Sequence, residues 1–149
     1  MSSKYQISPL APAFFPRLPE VGGVRLSTAA CGVKSRGRAD VLLGEFDVNT
    51  SIAGVLTRSK TRSASVDWCR KNLPGGRAQA LLVNSGNANA FTGSKGADTV
   101  EAIVTSVAET LACRPSRVFT ASTGIIGEPL HAEIITSSLD HLSQRLSGT

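Results

Sequence analysis

An α/β (α+β) fold built in layers is what this sequence predicts, and three patterns carry the prediction. Short β-branched stretches bounded by polar or glycine-containing turns crowd the first half of the chain. The second half alternates a strand-length apolar run with a helical repeat, twice over. Of 149 residues, 41% are hydrophobic and 18% charged, which is enough apolar material to close one buried core.

Residues 1–20 hold prolines at 9, 12, 16 and 19, so an irregular arm is expected there, followed by a single α/β domain over 21–149. Strands are expected over 24–33, 41–48 and 52–57, the first two joined by the basic turn Lys34 to Arg38. Ser63 to Val66 reads as a further short strand. A short helix then starts with Asp67 as its cap and is ended by Pro74-Gly75-Gly76. Ala78 to Val83 is an apolar strand that runs into Asn84-Ser85-Gly86-Asn87-Ala88-Asn89-Ala90. The clearest helix places Val100, Ile103, Val104, Val107, Ala108 and Leu111 on one face, with Asp98 and Glu101 as a capping box. Arg117 to Ala121 reads as a strand. A helix over 131–146 aligns Ile134, Ile135, Leu139, Leu142 and Leu146.

Composition also narrows function. No apolar run approaches the roughly 20 residues that cross a bilayer, so no membrane partner is expected. Seven aromatic residues supply little for base stacking, which argues against nucleic acid. The net charge of +5 is uneven: residues 1–77 carry 12 basic and 5 acidic side chains, residues 78–149 carry 4 and 6. That basic half either attracts an anionic substrate or is a solvated face. Cys31, Cys69 and Cys113 are odd in number and lack a CxxC, as in a reducing, cytoplasmic compartment, and each reads as a small buried hydrophobe. The N-terminus has no apolar core of signal-peptide type.

Two segments stand apart. In Asn84 to Ala90, small residues and three carboxamides follow a buried strand; this is either a structural turn or part of a site. In Thr120-Ala121-Ser122-Thr123-Gly124-Ile125-Ile126-Gly127-Glu128-Pro129-Leu130, a strand ends in hydroxyls and glycine. Such an end can aim an O–H and a backbone N–H at one developing oxyanion, or it can be an ordinary turn. No complete catalytic set accompanies them. There is no GxSxG or Walker A loop, and His131 and His141 fall on the C-terminal helical pattern, away from any nucleophile elbow. No metal cluster is expected either.

Taken in order, Leu82 to Ala90 with Thr92-Gly93 and then Ala121 to Leu130 resemble the ornithine acetyltransferase (glutamate N-acetyltransferase) family. Gly32 to Ser35 through Asp40-Val41, Ala53 to Thr57 and Val66 to Arg70 agree, so the similarity runs over about residues 20–142. The resemblance implies a layered αββα sandwich of the type found in self-processing aminopeptidases. It implies a precursor that cuts itself into α and β chains, the β chain beginning with a nucleophilic Thr. The implied reaction moves acetyl from N-acetylornithine to glutamate in arginine biosynthesis, with acetyl-CoA as a further donor in some members and no cofactor or metal. Thr123 and Gly124 match the family's oxyanion pair, as hydroxyl and backbone N–H donors. Asn84, Gly86 and Asn87 are expected to shape the loop, and Ser122 and Glu128 to support the turn.

By the same resemblance this chain is the N-terminal part of an α chain, without the self-cleavage site, the substrate-holding Thr and Lys segments or the β chain. Thr149 lacks the motif that would make it the nucleophile. The implied partner is the β chain of the same precursor, in a heterodimer that assembles into a heterotetramer, and this chain is expected to be inactive alone. Two other readings use the same residues: a self-processing N-terminal-nucleophile aminopeptidase or amidohydrolase, and a non-catalytic module that binds a partner chain.

Overall fold

A computed structural model describes residues 9–14, 16–17, 19–34 and 37–148. Much of the expected arm, part of the basic turn (Ser35 and Arg36) and Thr149 lie outside the described residues. The described positions from Pro9 to Gly23 form neither helix nor strand.

Four strands make one sheet in chain order: β1 (Val24–Ala29), β2 (Val41–Phe46), β3 (Ala80–Asn87) and β4 (Val118–Ile125). β1, β2 and β3 pair antiparallel, whereas β3 and β4 are parallel. A parallel pair needs a crossover, and α2 (Gly93–Thr110) supplies it. α1 (Ala64–Asn72) precedes β3, and α3 (Ala132–Thr136) and α4 (Leu139–Gln144) follow β4.

The helices cover one face of the sheet. Val41 and Leu43 of β2, Ala80 and Leu82 of β3 and Val118 of β4 pack there with Val100, Ile103, Val104 and Val107 of α2. Ile135, Leu139 and Leu142 of α3 and α4 complete this core. On the other face, one register row reads Thr28, Leu42, Val83 and Ala121, of which Leu42 and Val83 are half-buried and the other two exposed. The α/β (α+β) class is as expected. The described residues hold one helical layer and one sheet of the αββα arrangement.

α1 lies along the edge strand β4. Ser65, Trp68 and Cys69 share one helical face, and each bonds β4: Ser65 Oγ to Ser122 Oγ at 2.8 Å, Trp68 Nε1 to the Val118 carbonyl at 2.8 Å, Cys69 Sγ to the Thr120 carbonyl at 3.2 Å. Carbonyls that an open edge would offer to another strand are thereby occupied.

Several expectations are corrected. Ile52 to Thr57 is not a strand: only the neighbouring Ser51 makes an isolated bridge, to Arg77, and Val55 is 99% exposed. β-branched residues there meet no ladder within the described chain. Ser63 to Val66 is not a strand either. Ser63 caps α1 by accepting from Val66 N–H, and Asp67 lies inside the first turn, ion-paired with Arg62. α2 begins at Gly93, before Asp98, with Thr92 at its cap position. Thr92 Oγ1 is not a cap there; it donates to Asn89 Oδ1 at 2.8 Å. The helix expected over 131–146 divides into α3 and α4, separated at Ser137 and Ser138. Strands 24–33 and 41–48 end early, at Ala29 and Phe46.

Candidate active site

β3 does not stop at Val83. It continues through Asn84, Ser85, Gly86 and Asn87, so the first unusual segment is half strand and half loop. β4 likewise extends through Ser122, Thr123 and Gly124 to Ile125. The parallel register therefore sets Asn84 against Ser122, Ser85 against Thr123 and Gly86 against Gly124. Both unusual segments meet at the carboxyl ends of neighbouring parallel strands, the place where open α/β sheets commonly bind ligands.

The three carboxamides point inward. Asn84, Asn87 and Asn89 are buried, Asn89 with no exposed surface. Asn84 Nδ2 donates to the Asn87 carbonyl at 2.8 Å, and Asn87 Nδ2 to the Glu128 carbonyl at 3.0 Å. Asn87 Oδ1 accepts from Asn89 N–H at 2.7 Å, and Asn89 Nδ2 reaches the Gly96 carbonyl at 2.9 Å. Backbone bonds from Ala88 N–H to Ile125 and from Gly127 N–H to Ala90, both 2.9 Å, tie the loops after β3 and β4 together. These side chains saturate one another's buried polar atoms, so their structural work is to hold the loops.

Two backbone features mark the same end of the sheet. Asn89 and Phe91 have φ of +45° and +59°, and Phe91 is 68% exposed. A bulky residue in the left-handed region is strained, and the Asn89 network holds that loop in place. Gly124 has φ +133°, and a Cβ there would collide with the carbonyl carbon of Gly86. Only glycine lets the two strands approach so closely.

Thr123 and Gly124 are both exposed. Ser122 faces α1, so strand alternation turns Thr123 to the opposite, helix-free face, beside Ser85. Beside them, Lys34 Nζ lies 3.6 Å from a Glu128 carboxylate oxygen. Several basic side chains of the first half are similarly engaged, Arg25 with Glu45 and Arg62 with Asp67. The histidines take no part: His131 and His141 are exposed, and His141 lies 3.3 Å from Arg145. Among the described residues no His, Cys, Asp or Glu group could hold a metal, and no helix is long and apolar enough to cross a membrane.

All three cysteines are free and half-buried. Burial pushes each thiol above its ordinary pKa: at Cys69 against hydrogen bonding to Thr120, at Cys113 against the attraction of Arg117, and at Cys31 with a further push from Asp40. A raised pKa is the opposite of what a thiolate nucleophile needs.

Sequence reasoning missed Asp40, a buried carboxylate that organises the loop before β2, and the α1 side chains that dock on β4. The one available signal for Asp40 was an acidic residue closing a basic turn directly ahead of an apolar strand.

The ArgJ family model matches residues 25–149. The chain is 53% identical over 137 residues to the arginine biosynthesis bifunctional protein ArgJ of Rhizobium meliloti, covering 92% of this chain and 33% of that protein. The Brucella melitensis protein of the same name is 52% identical over 126 residues, 85% of this chain and 30% of its own length. The chain thus spans about a third of the length of these curated relatives. Among solved structures, ornithine acetyltransferase from Mycobacterium tuberculosis, complexed with ornithine, superposes with a TM-score of 0.82 at 31% identity, over 86% of this chain and 69% of that one. ArgJ from Bacillus halodurans gives 0.80 at 33% identity, over 86% and 66%. With matching sequence over nearly all of its length and the same fold beneath it, this chain belongs to the ArgJ family.

Proposed function

We propose that this chain is the N-terminal part of the α chain of an ornithine acetyltransferase acting in arginine biosynthesis, and that it supplies the oxyanion hole. The observation that carries the reading is the exposed Thr123-Gly124 pair at the end of β4, braced from behind by β3 and the buried carboxamide network. An O–H and an N–H on adjacent residues can converge on one oxygen, and their rigid support costs no reorganisation as charge develops.

The chemistry is acyl transfer in two halves. A Thr at the head of a β chain uses its own α-amino group, of ordinary pKa near 8, to take the proton from its hydroxyl. The hydroxyl oxygen attacks the acetamide carbon of N-acetylornithine, and the resulting oxyanion rests on Thr123 Oγ–H and Gly124 N–H. The C–N bond breaks, the proton goes to the departing ornithine amine, and an acetyl-Thr ester remains. The glutamate amine then attacks that ester through the same oxyanion geometry, the α-amino group takes the amine proton and returns it to the Thr oxygen as the acyl C–O bond breaks, and N-acetylglutamate leaves the free Thr. No metal or cofactor enters these steps, and acetyl-CoA would acylate the same Thr as an alternative donor. The β chain is the natural occupant of the helix-free sheet face, where Leu42 and Val83 are incompletely buried and Thr123 projects. Without it the chain has no nucleophile and is inactive, and the complete enzyme is an assembly of α and β chains, a heterotetramer in the cytoplasm.

The test is an assay of the whole processed enzyme with N-acetylornithine and glutamate. Ornithine release with formation of N-acetylglutamate is expected. Peptide hydrolysis without ornithine release would overturn the reading in favour of a self-processing aminopeptidase.

A further inference from the structure

Asp40 is 6% exposed, and every polar atom it owns is used. Its two carboxylate oxygens accept one N–H each, from Cys31 and from Val33, both at 2.7 Å. Two alternate N–H groups can reach one carboxylate because Gly32, between them, has φ +79°. The Asp40 N–H closes β1 onto β2 by donating to the Ala29 carbonyl at 3.0 Å, and its own carbonyl accepts from Ser85 N–H at 2.8 Å. One residue thus joins the Cys31–Lys34 segment, the start of β2 and the catalytic end of β3. Bonds to a carboxylate are stronger than bonds between neutral groups, so Asp40 holds the segment firmly.

The segment it holds leans on the proposed oxyanion site. A Cβ on Gly86 would lie 2.7 Å from Lys34 Cβ and 3.2 Å from Lys34 N, so the Lys34 backbone sits flush on Gly86. Gly86 in turn leaves no room for a Cβ on Gly124. Positions 86 and 124 are therefore too tight for anything but glycine, and Lys34, packed on the first, also pairs with Glu128. Gly86 thus touches the Lys34 segment and Gly124 alike, so a shift of the loop reaches the oxyanion donors through direct contacts.

We infer that Asp40 is a positioning residue for the Thr123-Gly124 oxyanion donors, acting through the Cys31–Lys34 backbone and Gly86. The inference rests on the oxyanion reading above. A misplacement of about 1 Å in a reacting geometry costs on the order of 100-fold in rate, so a loosened loop lowers kcat and leaves ground-state binding of substrate largely intact.

The experiment is a double-mutant cycle in the processed full-length enzyme, with Asp40→Asn, Thr123→Ala and their combination. Asp40→Asn keeps one acceptor oxygen and replaces the other with a donor that faces an N–H. Expected is a fall in kcat of about 10-fold or more with KM for N-acetylornithine changed less than about 3-fold. In the Thr123→Ala background the same substitution costs far less, because the group it positions is already gone. A merely structural role would lower activity by the same factor in both backgrounds and overturn the inference, as would an unchanged kcat in folded Asp40→Asn. If Asp40→Asn does not fold, Asp40→Glu takes its place in the cycle: it keeps both acceptor oxygens but displaces them by one methylene from the Cys31 and Val33 N–H groups, and the same coupling decides the question. If Thr123→Ala leaves kcat unchanged, the oxyanion reading itself fails and the inference falls with it. If Thr123→Ala lowers kcat and Asp40→Asn does not, only the inference fails.

Discussion

The first and second halves of β3 and β4 are one continuous parallel pair doing opposite things. Ala80 to Val83 against Val118 to Ala121 is apolar but for Thr120, and Ala80, Leu82 and Val118 close the core beneath α2. Asn84 to Asn87 against Ser122 to Gly124 is carboxamide, hydroxyl and glycine, and its polar side chains bond loop carbonyls or α1, or face outward. The contrast shows how a polar strand end is held in place without being buried. The lower half supplies an anchor that cannot shift without losing packing, and the upper half presents donors at the end of that anchor.

Substitutions in the two halves should therefore fail in different ways. The largest effect belongs to Gly124→Ala, because the new Cβ meets the Gly86 backbone and φ +133° disfavours any side chain. Loss of soluble, self-processed enzyme is expected, and normal expression and turnover would show that the close approach is not needed. Next, Leu82→Ala and Thr123→Ala form a pair that should separate cleanly. Leu82, almost fully buried, should lose about 2–5 kcal/mol in chemical denaturation while residual folded enzyme keeps its kcat. Thr123, exposed, should keep its midpoint and lose about 100-fold or more in kcat. Smaller is Asn89→Ala, which removes the Nδ2 bond to the Gly96 carbonyl and the acceptor of the Thr92 hydroxyl; about 1–3 kcal/mol of stability should disappear, with Phe91 losing its fixed backbone. A stability unchanged within 0.5 kcal/mol, on the order of an ordinary surface substitution, would show that the network is decorative.

The smallest effect concerns the thiols. Burial raises their folded pKa values, so the protonated thiols add stability that is complete below the ordinary thiol pKa of about 8.5 and is lost as pH rises through the higher folded values. Alkylation by iodoacetamide at neutral pH should accordingly be slower than for free cysteine. Fast modification of Cys69 with loss of turnover would instead give that residue a chemical role.

Much of the fold was legible because its signals are local. The apolar stripe of α2 and the run Ala80 to Val83 announce burial whatever surrounds them. The errors share one cause. Asn84 to Asn87 has turn composition, yet it is strand because β4 offers a ladder and the carboxamides find loop carbonyls to bond. Ile52 to Thr57 has strand composition, yet beyond the Ile52 N–H bond to the Gly76 carbonyl no ladder forms along it in the described chain. Gly93 and Gly96 are poor helix formers, but Gly96 is where Asn89 and Thr92 pack too closely for any Cβ, so the helix start follows from packing.

What the sequence determined alone was the family and the order of the main elements, because motif and periodicity reside in adjacent residues. Only the tertiary structure decided which face Thr123 takes, that Gly86 and Gly124 touch, and that the Asp40 carboxylate holds the segment packed on Gly86. Contacts between distant segments depend on register and on space left by missing side chains, and neither is written in any one stretch of chain.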